Sequence, residues 1–343
     1  AEYMAHRACV AATEFTEAWV DFGVGRKPWG YAAERSPSTH PVAGAPAHDG
    51  DTALQNFDGI SYAKGASALR QLIEWMGDEH FISGVRDHLT THAYGNATLA
   101  DFLGSMGRAS GRDVQAWAAA WLETAGVNTL RPVVEVDGSG VMTRVFIEQS
   151  ATNELPTLRP HRLAVGCYRL EGDTLVRTQR VELDVTGEST EVTELVGVEQ
   201  PDLLLVNDDD LAYAKIRLDE RSLATAIAHP RAFTSSLPRA LVLGAAWDMT
   251  RDAQMPAGDF VRMALATLPG EDDSTLLRTL LGQMSTAALT YSAPAKREKL
   301  VADVTGGLRS LAEEAEAGSD AQLQLVQTFA SFAQSEEDVA FVR

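Results

Sequence analysis

The sequence has 343 residues, 45% of them hydrophobic, which predicts two or three domains with packed cores. Its 29 Lys and Arg side chains against 48 Asp and Glu give a formal net charge of −19, which argues against a nucleic-acid partner because phosphates require a basic surface. No apolar run reaches the roughly 18 residues that cross a bilayer, and no basic and apolar leader opens the chain, so we expect neither a membrane partner nor a signal peptide.

Residues 1–127 follow a helical period. The amphipathic pattern is already running where the chain begins, without a capping side chain, so we expect the first residue to lie within a helix and further sequence to precede it. This first helix is expected to run to Phe22, after which Gly23 and Pro28 interrupt the pattern. The Pro- and Gly-rich residues 36–50 predict an extended loop.

Four further helices are predicted in this part of the chain, beginning near residues 61, 79, 98 and 113. Thr98 and Asp113 are the expected N-caps of the last two. Trp117 and Trp121, which lie four residues apart on the last helix, are expected in the core.

The composition changes after residue 127, and residues 128–218 alternate with a period of two. Strands are predicted over residues 133–136, 141–147, 162–170, 174–183 and 203–206. Turn-forming pairs such as Asp137-Gly138 separate them. Several short strands at this spacing predict a small antiparallel β-sandwich.

The helical period returns at residue 219 and continues to residue 343. Helices are predicted over residues 220–228, 231–252, 256–268, 273–289, 294–316 and 320–334. The short connections between them predict stacked helix pairs in the manner of a solenoid. Since the last residues make no convincing domain end, we expect the array to continue beyond them. The predicted class is mainly α with a β domain, divided into residues 1–127, 128–218 and 219–343.

The two cysteines, Cys9 and Cys167, are far apart and lie in unlike contexts. They form neither a metal-ligand pattern nor a disulfide framework. We therefore expect two reduced thiols and a cytoplasmic location. Nothing in the sequence indicates an oligomeric state.

The most informative motif is Tyr62-Ala63-Lys64-Gly65, within the segment from Asn56 to Ala66. It resembles the tyrosine motif of the aminopeptidase N family of zinc metallopeptidases, in which Tyr-x-Lys-Gly opens a helix beside the metal. Other segments resemble the same family, in its actinobacterial form, in the same order and spacing. They are Ala1–Met4, Pro37–Pro41, Ser110–Asp113, Trp121–Gly126 and Asn207–Lys215.

The resemblance covers the whole chain and implies its architecture. Residues 1–127 would be the helical C-terminal part of a thermolysin-like catalytic domain, followed by the β-sandwich and a helical, solenoid-like domain that is truncated. It also implies a role for Tyr62, which would stabilise the tetrahedral oxyanion of peptide hydrolysis. A phenol has a pKa of about 10, so it can donate a hydrogen bond at neutral pH. From the residues alone, the alternative is a Tyr whose ring packs in the core and whose hydroxyl bonds to the backbone.

The family holds zinc through H-E-x-x-H and a downstream Glu, and this sequence contains no H-E-x-x-H. The zinc ligands are therefore expected upstream of Ala1, and no metal ligand is assigned in this chain. Glu2 stands four residues beyond the position expected for the third ligand, so it is not assigned either. His88 and His92 form an i, i+4 pair but lack the Glu that would supply a general base, so surface imidazoles are expected there.

Four other features have competing interpretations. Asp208–Asp210 lacks the Gly and closing Glu of a calcium loop and is expected to form a solvated turn. His40 either lines the site or fixes its loop through ring hydrogen bonds. Lys64 is expected either to extend its ammonium to solvent or to pair with an acid. Gly65 is expected to allow close helix packing.

The resemblance thus implies part of a zinc-dependent aminopeptidase that removes N-terminal residues from peptides. Peptide substrates are the expected partners, and this chain alone is expected to be inactive. A catalytically inactive binding or scaffold module is the alternative. A purely helical repeat protein is disfavoured, because the strand period of residues 128–218 does not belong in an α-solenoid.

Overall fold

Helices dominate the fold, and small sheets interrupt them. The computed structural model describes residues 1–44, 47–271 and 273–343, and 54% of the chain is helical, which confirms the predicted mixture of a mainly α chain with a β part. No helix in these ranges is long and apolar enough to cross a membrane. The predicted loop over residues 36–50 includes positions 45 and 46, which lie outside the described residues.

The first part of the chain is helical, as predicted. Its α-helices are α1 (Glu2–Ala12), α2 (Ala18–Asp21), α3 (Lys27–Glu34), α4 (Gly50–Gln55), α5 (Gly65–Met76), α6 (Asp78–Thr91), α7 (Leu99–Ser110) and α8 (Val114–Trp121). Two π-helical turns, Phe22–Arg26 and Ile60–Lys64, lead directly into α3 and α5. We refer to Ile60–Lys64 below as the tyrosine turn.

The predicted break at Gly23 and Pro28 is wrong. The first helix ends at Ala12 instead, where the Thr13 hydroxyl donates to the Cys9 carbonyl at 2.6 Å and so competes with the helical hydrogen bonds. The chain becomes helical again at Ala18 and stays helical through Gly23 and Pro28. Pro28 is the second residue of α3 and follows the π-helical turn Phe22–Arg26 almost directly.

The predicted N-caps are confirmed. The Thr98 hydroxyl accepts from the Asp101 N–H, and the Asp101 carboxylate accepts from Thr98 in return. The Asp113 carboxylate accepts from the Ala116 N–H at 3.0 Å. Trp117 and Trp121 are buried in the core, as expected.

The middle part is built from strands β1 (Asn128–Val136), β2 (Met142–Ser150), β3 (His161–Glu171), β4 (Thr174–Val185), β5 (Ser189–Glu191), β6 (Leu203–Asp208) and β7 (Ala214–Ile216). They form two sheets, in the orders β5-β2-β1-β7 and β4-β3-β6. Side chains from both sheets share one buried cluster. The prediction of antiparallel pairing fails for β1 and β7, which are parallel. Strands β5 and β7 have three residues each, too short for a period of two to reveal them.

The last part is helical again. Its helices are α9 (Glu220–Ala228), α10 (Ser236–Arg251), α11 (Ala257–Thr267), α12 (Ser274–Thr286), α13 (Pro294–Glu314), α14 (Asp320–Phe332) and α15 (Glu336–Val342), with a π-helical turn at Ala287–Tyr291. Helix α10 begins later than predicted because Phe233 forms a bridge with Leu175 of β4. Helix α15 was not predicted, although the Ser335 and Asp338 side chains cap it reciprocally.

The buried clusters cross the predicted domain limits. Val20 and Val24 of the first part and Leu203 and Leu205 of β6 belong to the same cluster as the last helices. Tyr213, which precedes β7, packs with the first helices. The limits at residues 127 and 218 therefore remain a prediction.

A buried histidine joins the β part to helix α8. The His161 Nε2 atom lies 2.9 Å from the Gln149 Oε1 atom, and the ring packs edge-on against Trp121 at 5.1 Å. Burial and, to a smaller extent, the nearby Arg159 guanidinium lower the pKa of His161 to about 3. In the unfolded chain a His has a pKa of about 6.5.

This difference predicts acid sensitivity. Between pH 6.5 and 3 the unfolded chain binds the proton and the folded chain does not, so the free energy of unfolding falls by about 1.4 kcal/mol per pH unit on acidification. We expect His161→Asn to lose this component. Urea unfolding of both proteins at pH 7 and pH 5 measures it, and an identical pH dependence in the two would contradict the assignment.

Candidate active site

Tyr62 lies on the tyrosine turn, and the start of this turn is fixed by side chains. The Asp58 carboxylate accepts from the N–H groups of Ile60 and Ser61 at 2.9 and 3.1 Å. The His40 ring lies with Nδ1 2.8 Å from the Pro41 carbonyl and Nε2 3.2 Å from the Asp58 carboxylate. Of the two interpretations of His40, the structure therefore supports the one in which ring hydrogen bonds fix the loop.

The Tyr62 ring occupies a slot between two aromatic side chains. The Trp29 ring lies nearly parallel to it, with 6.1 Å between centroids and 20° between planes. The Phe57 ring meets it edge-on at 4.8 Å. Tyr62 is half-buried, whereas Phe57 is exposed.

The Tyr62 hydroxyl differs from that of a typical core tyrosine. In the part of the chain that the structure describes, no hydrogen bond involves it. Tyr31 provides the contrast, since its buried hydroxyl donates to the Ala214 carbonyl at 3.0 Å. The geometry therefore leaves the Tyr62 phenol available as a donor, and its catalytic role remains a prediction.

Helix α3 touches the tyrosine turn backbone to backbone. A Cβ atom on Gly59 would lie 2.6 Å from the Trp29 carbonyl and from the Gly30 nitrogen. A Cβ atom on Gly30 would lie 3.2 Å from the Gly59 carbonyl oxygen. By contrast, the nearest atom to a Cβ on Gly65 is 3.6 Å away, so the close packing predicted at Gly65 occurs at Gly30 and Gly59 instead.

Lys64 lies on the opposite side of the helix from Tyr62. Two residues correspond to about 200° around an α-helix, so the two side chains point in nearly opposite directions. The Lys64 side chain is fully buried, and its ammonium lies 2.5 Å from the Glu34 Oε1 atom. It also donates to the carbonyls of Thr124 and Gly126, at 3.3 and 3.0 Å. Lys64 therefore pairs with an acid and does not extend to solvent.

The Glu34–Lys64 pair belongs to a larger buried network. The second oxygen of Glu34 accepts from the Thr39 hydroxyl and from the Gly126 N–H, both at 2.8 Å. Arg159 donates to the carbonyls of the segment that follows α8, including Ala125 at 2.8 Å. Burial lowers the pKa of Lys64 to about 8, against the attraction of the Glu34 carboxylate. The network thus ties the tyrosine turn to α3 and to the entry of the β part.

Asp208–Asp210 was expected to be a solvated turn, and this prediction is wrong. Asp208 and Asp210 are buried. The Asp210 carboxylate lies 2.6 Å from the ammonium of Lys27, and Asp208 accepts from Tyr168 and Arg177 at 2.9 and 2.8 Å. The partners of these acids are distant in sequence, so a local acidic run gave no sign of them.

The described side chains do not fit a zinc ion. Residues 1–44, 47–271 and 273–343 contain no group of three or more His, Cys, Asp and Glu arranged to hold a metal. Glu2 instead binds Arg26 through both carboxylate oxygens, at 2.5 and 3.0 Å. The rings of His88 and His92 lie 5.2 Å apart without a third ligand. Both cysteines are free, as predicted.

The buried pair at Lys64 makes a prediction about stability. Removing one partner leaves an uncompensated buried charge, which typically costs about 3–5 kcal/mol. We expect Lys64→Met and Glu34→Gln each to lower the free energy of unfolding by about this amount. The double variant should lose at least about 1 kcal/mol less than the sum of the two single losses. Denaturant unfolding of the four proteins measures this coupling, and additive losses would show that the two groups act independently.

Comparisons with known proteins agree with the motifs. Residues 1–121 match the family described as "Peptidase family M1 domain", and residues 203–342 match "ERAP1-like C-terminal domain". The "Aminopeptidase N" of Streptomyces lividans is 46% identical over 98% of this chain, which covers 40% of that relative.

More distant relatives match shorter stretches. The "Aminopeptidase 2, mitochondrial" of Saccharomyces cerevisiae is 41% identical over 31% of the chain and 11% of its own length. The "Leucyl aminopeptidase" of Saccharolobus solfataricus is 32% identical over 43% of the chain and 18% of its own length. The chain thus spans about two fifths of the Streptomyces relative and less of the others. The two matched regions and the Streptomyces relative confirm the resemblance to the aminopeptidase N family of metallopeptidases that the tyrosine motif predicted.

Proposed function

We propose that this chain forms part of a zinc-dependent aminopeptidase that hydrolyses N-terminal residues from peptides, and that Tyr62 stabilises the tetrahedral oxyanion. The relatives bear the names of aminopeptidases, which supports the reaction class. The observation that carries the role of Tyr62 is its hydroxyl, which makes no hydrogen bond within the described residues although the turn beneath it is firmly held.

The chemistry explains why a phenol is suited to this task. When water attacks a peptide carbonyl, the carbonyl oxygen gains negative charge, and a donor already in place stabilises that charge without reorganising. Tyr62 can supply this donor from a turn whose opposite face is locked by the Lys64 ion pair. Since the described residues contain no group of three or more candidate ligands, a zinc ion would need ligands from outside them.

We further propose roles for the three predicted domains. Residues 1–127 would contribute Tyr62 to the catalytic domain, residues 128–218 would brace that domain, and residues 219–343 would cover the cleft and restrict it to peptides. The network around Lys64 and Arg159 supports the bracing role, because it joins the tyrosine turn to the β part. The free cysteines support a cytoplasmic location.

The role of Tyr62 predicts a selective loss of turnover. In a zinc-loaded protein that carries these residues together with an H-E-x-x-H motif, we expect Tyr62→Phe to lower kcat by about 10²–10³, the usual effect of removing one oxyanion donor. The fold should be unchanged, since the hydroxyl has no partner among the described residues. Steady-state kinetics on an aminoacyl substrate measure the effect.

Tyr94→Phe is the matched control, because the same hydroxyl is removed from a fully exposed ring. This control should leave kcat unchanged. Full turnover by Tyr62→Phe would remove Tyr62 from the mechanism.

The absence of a metal cluster among the described residues leads to a second prediction. Residues 1–343 alone should retain much less than one zinc per chain after dialysis against a metal-free buffer. Elemental analysis of the dialysed protein measures this ratio. One tightly bound zinc per chain would contradict the prediction, and loss of that zinc in His88→Ala would then place the site at the His88–His92 pair.

A further inference from the structure

Trp29 is a partly exposed aromatic residue with an unusual set of neighbours. Trp29 is 37% exposed, and its ring lies nearly parallel to the Tyr62 ring, with 6.1 Å between their centroids. The Arg26 guanidinium lies 4.8 Å from the Trp29 ring centroid. Arg26 is held in turn by both carboxylate oxygens of Glu2. A large apolar ring at the surface is thus kept in place by charged groups next to it.

The backbone of Trp29 is fixed relative to the tyrosine turn. Gly59 approaches the Trp29 carbonyl so closely that a Cβ atom there would lie 2.6 Å away. The Glu34–Lys64 ion pair joins the same two elements one helical turn further on. Trp29 therefore lies on a rigid support, and its ring is the part of α3 that touches the phenol.

The orientation of the Tyr62 ring depends on its two aromatic neighbours, Trp29 and Phe57. Within the described residues its hydroxyl forms no hydrogen bond, and Phe57, its second aromatic neighbour, is 65% exposed. Rotation about the Cα–Cβ bond would move the hydroxyl by ångströms, whereas rotation about the Cβ–Cγ bond would leave the oxygen in place and turn the plane in which its O–H bond lies. A misplacement of about 1 Å can cost about 10² in rate, so the orientation of this ring is decisive for an oxyanion donor.

We propose that Trp29 is a positioning residue, whose indole face fixes the ring plane of Tyr62 and thereby the direction of its O–H bond. This inference rests on the proposed function of Tyr62. Arg26 and Glu2 contribute indirectly. The Arg26 guanidinium, which Glu2 binds, lies against the Trp29 ring and helps to hold it in place. Trp29 makes no contact with the reacting atoms in this scheme and acts through Tyr62 alone.

The first test measures the ring itself. The protein used for the Tyr62→Phe kinetics is labelled with 3-fluorotyrosine, and the ¹⁹F resonance that disappears in Tyr62→Phe belongs to Tyr62. In Trp29→Leu this resonance should shift and broaden, because the ring current of the stacked indole is lost and the phenol gains freedom. An unchanged Tyr62 resonance would overturn the inference.

The second test measures turnover. We expect Trp29→Leu to lower kcat about tenfold, which is less than the loss of about 10² that a misplacement of about 1 Å can cause. KM should change less than about twofold. Trp29→Phe should restore most of the activity, since a phenyl ring keeps a flat face against Tyr62. The matched control is Trp75→Leu. Trp75 lies on α5, and its indole packs under the Arg112 guanidinium. This substitution should leave kcat and the Tyr62 resonance unchanged.

The double variant separates positioning from a general structural role. If Trp29 acts through Tyr62, Trp29→Leu should cause no further loss of kcat in the Tyr62→Phe background. An equal loss in both backgrounds would overturn the inference. Full activity of Tyr62→Phe would instead refute the proposed function. A large loss in Tyr62→Phe, combined with normal turnover in Trp29→Leu, would refute only the role of Trp29.

Discussion

The Glu34–Lys64 ion pair is the interaction on which the geometry around Tyr62 depends. Both side chains are fully excluded from solvent, so each charge is stable only if its hydrogen-bonding capacity is filled. The Lys64 ammonium donates to the Thr124 and Gly126 carbonyls, and one Glu34 oxygen accepts from the Thr39 hydroxyl and the Gly126 N–H. Within the described residues, the other Glu34 oxygen has only the ammonium beside it. One ammonium therefore holds together α3, the tyrosine turn and the segment that leads into the β part. Such a pair adds little stability compared with apolar packing, and we infer that its main contribution here is to specify how these elements are placed.

This arrangement reconciles a firmly held helix with a phenol that remains accessible. A tyrosine on the packed face of a helix is usually buried in the core, where its hydroxyl finds a hydrogen-bond partner. Here the anchoring side chain and the accessible ring lie two residues apart, so anchoring takes place on the side of the helix away from Tyr62. The Tyr-x-Lys spacing of the motif thus has a physical basis in helix geometry.

The sequence predicted features that local chemistry determines. Thr98 and Asp113 were identified as caps because a cap depends on residues only three positions away. The contacts that build the site are long-range and have no local pattern. Gly30 and Gly59 reveal the close approach of α3 and the tyrosine turn only when the two are considered together. The Lys27–Asp210 ion pair joins residues 183 positions apart, so from the sequence the acidic run looked like a solvated turn. Trp29 was not singled out from the sequence, because its significance depends on its position beside Tyr62, a residue 33 positions away.

Helix α3, like the tyrosine turn, has charged and aromatic side chains that point in opposite directions. Lys27 and Glu34 lie seven residues apart, about 20° from the same direction on an α-helix, and both point into the protein, towards Asp210 and Lys64 respectively. Trp29 follows Lys27 by two residues and therefore points the opposite way, just as Tyr62 precedes Lys64 by two. Each element thus carries a buried charge on one side and an aromatic ring on the other. Because the buried charges set the register of both elements, they also bring the two rings side by side in nearly parallel planes.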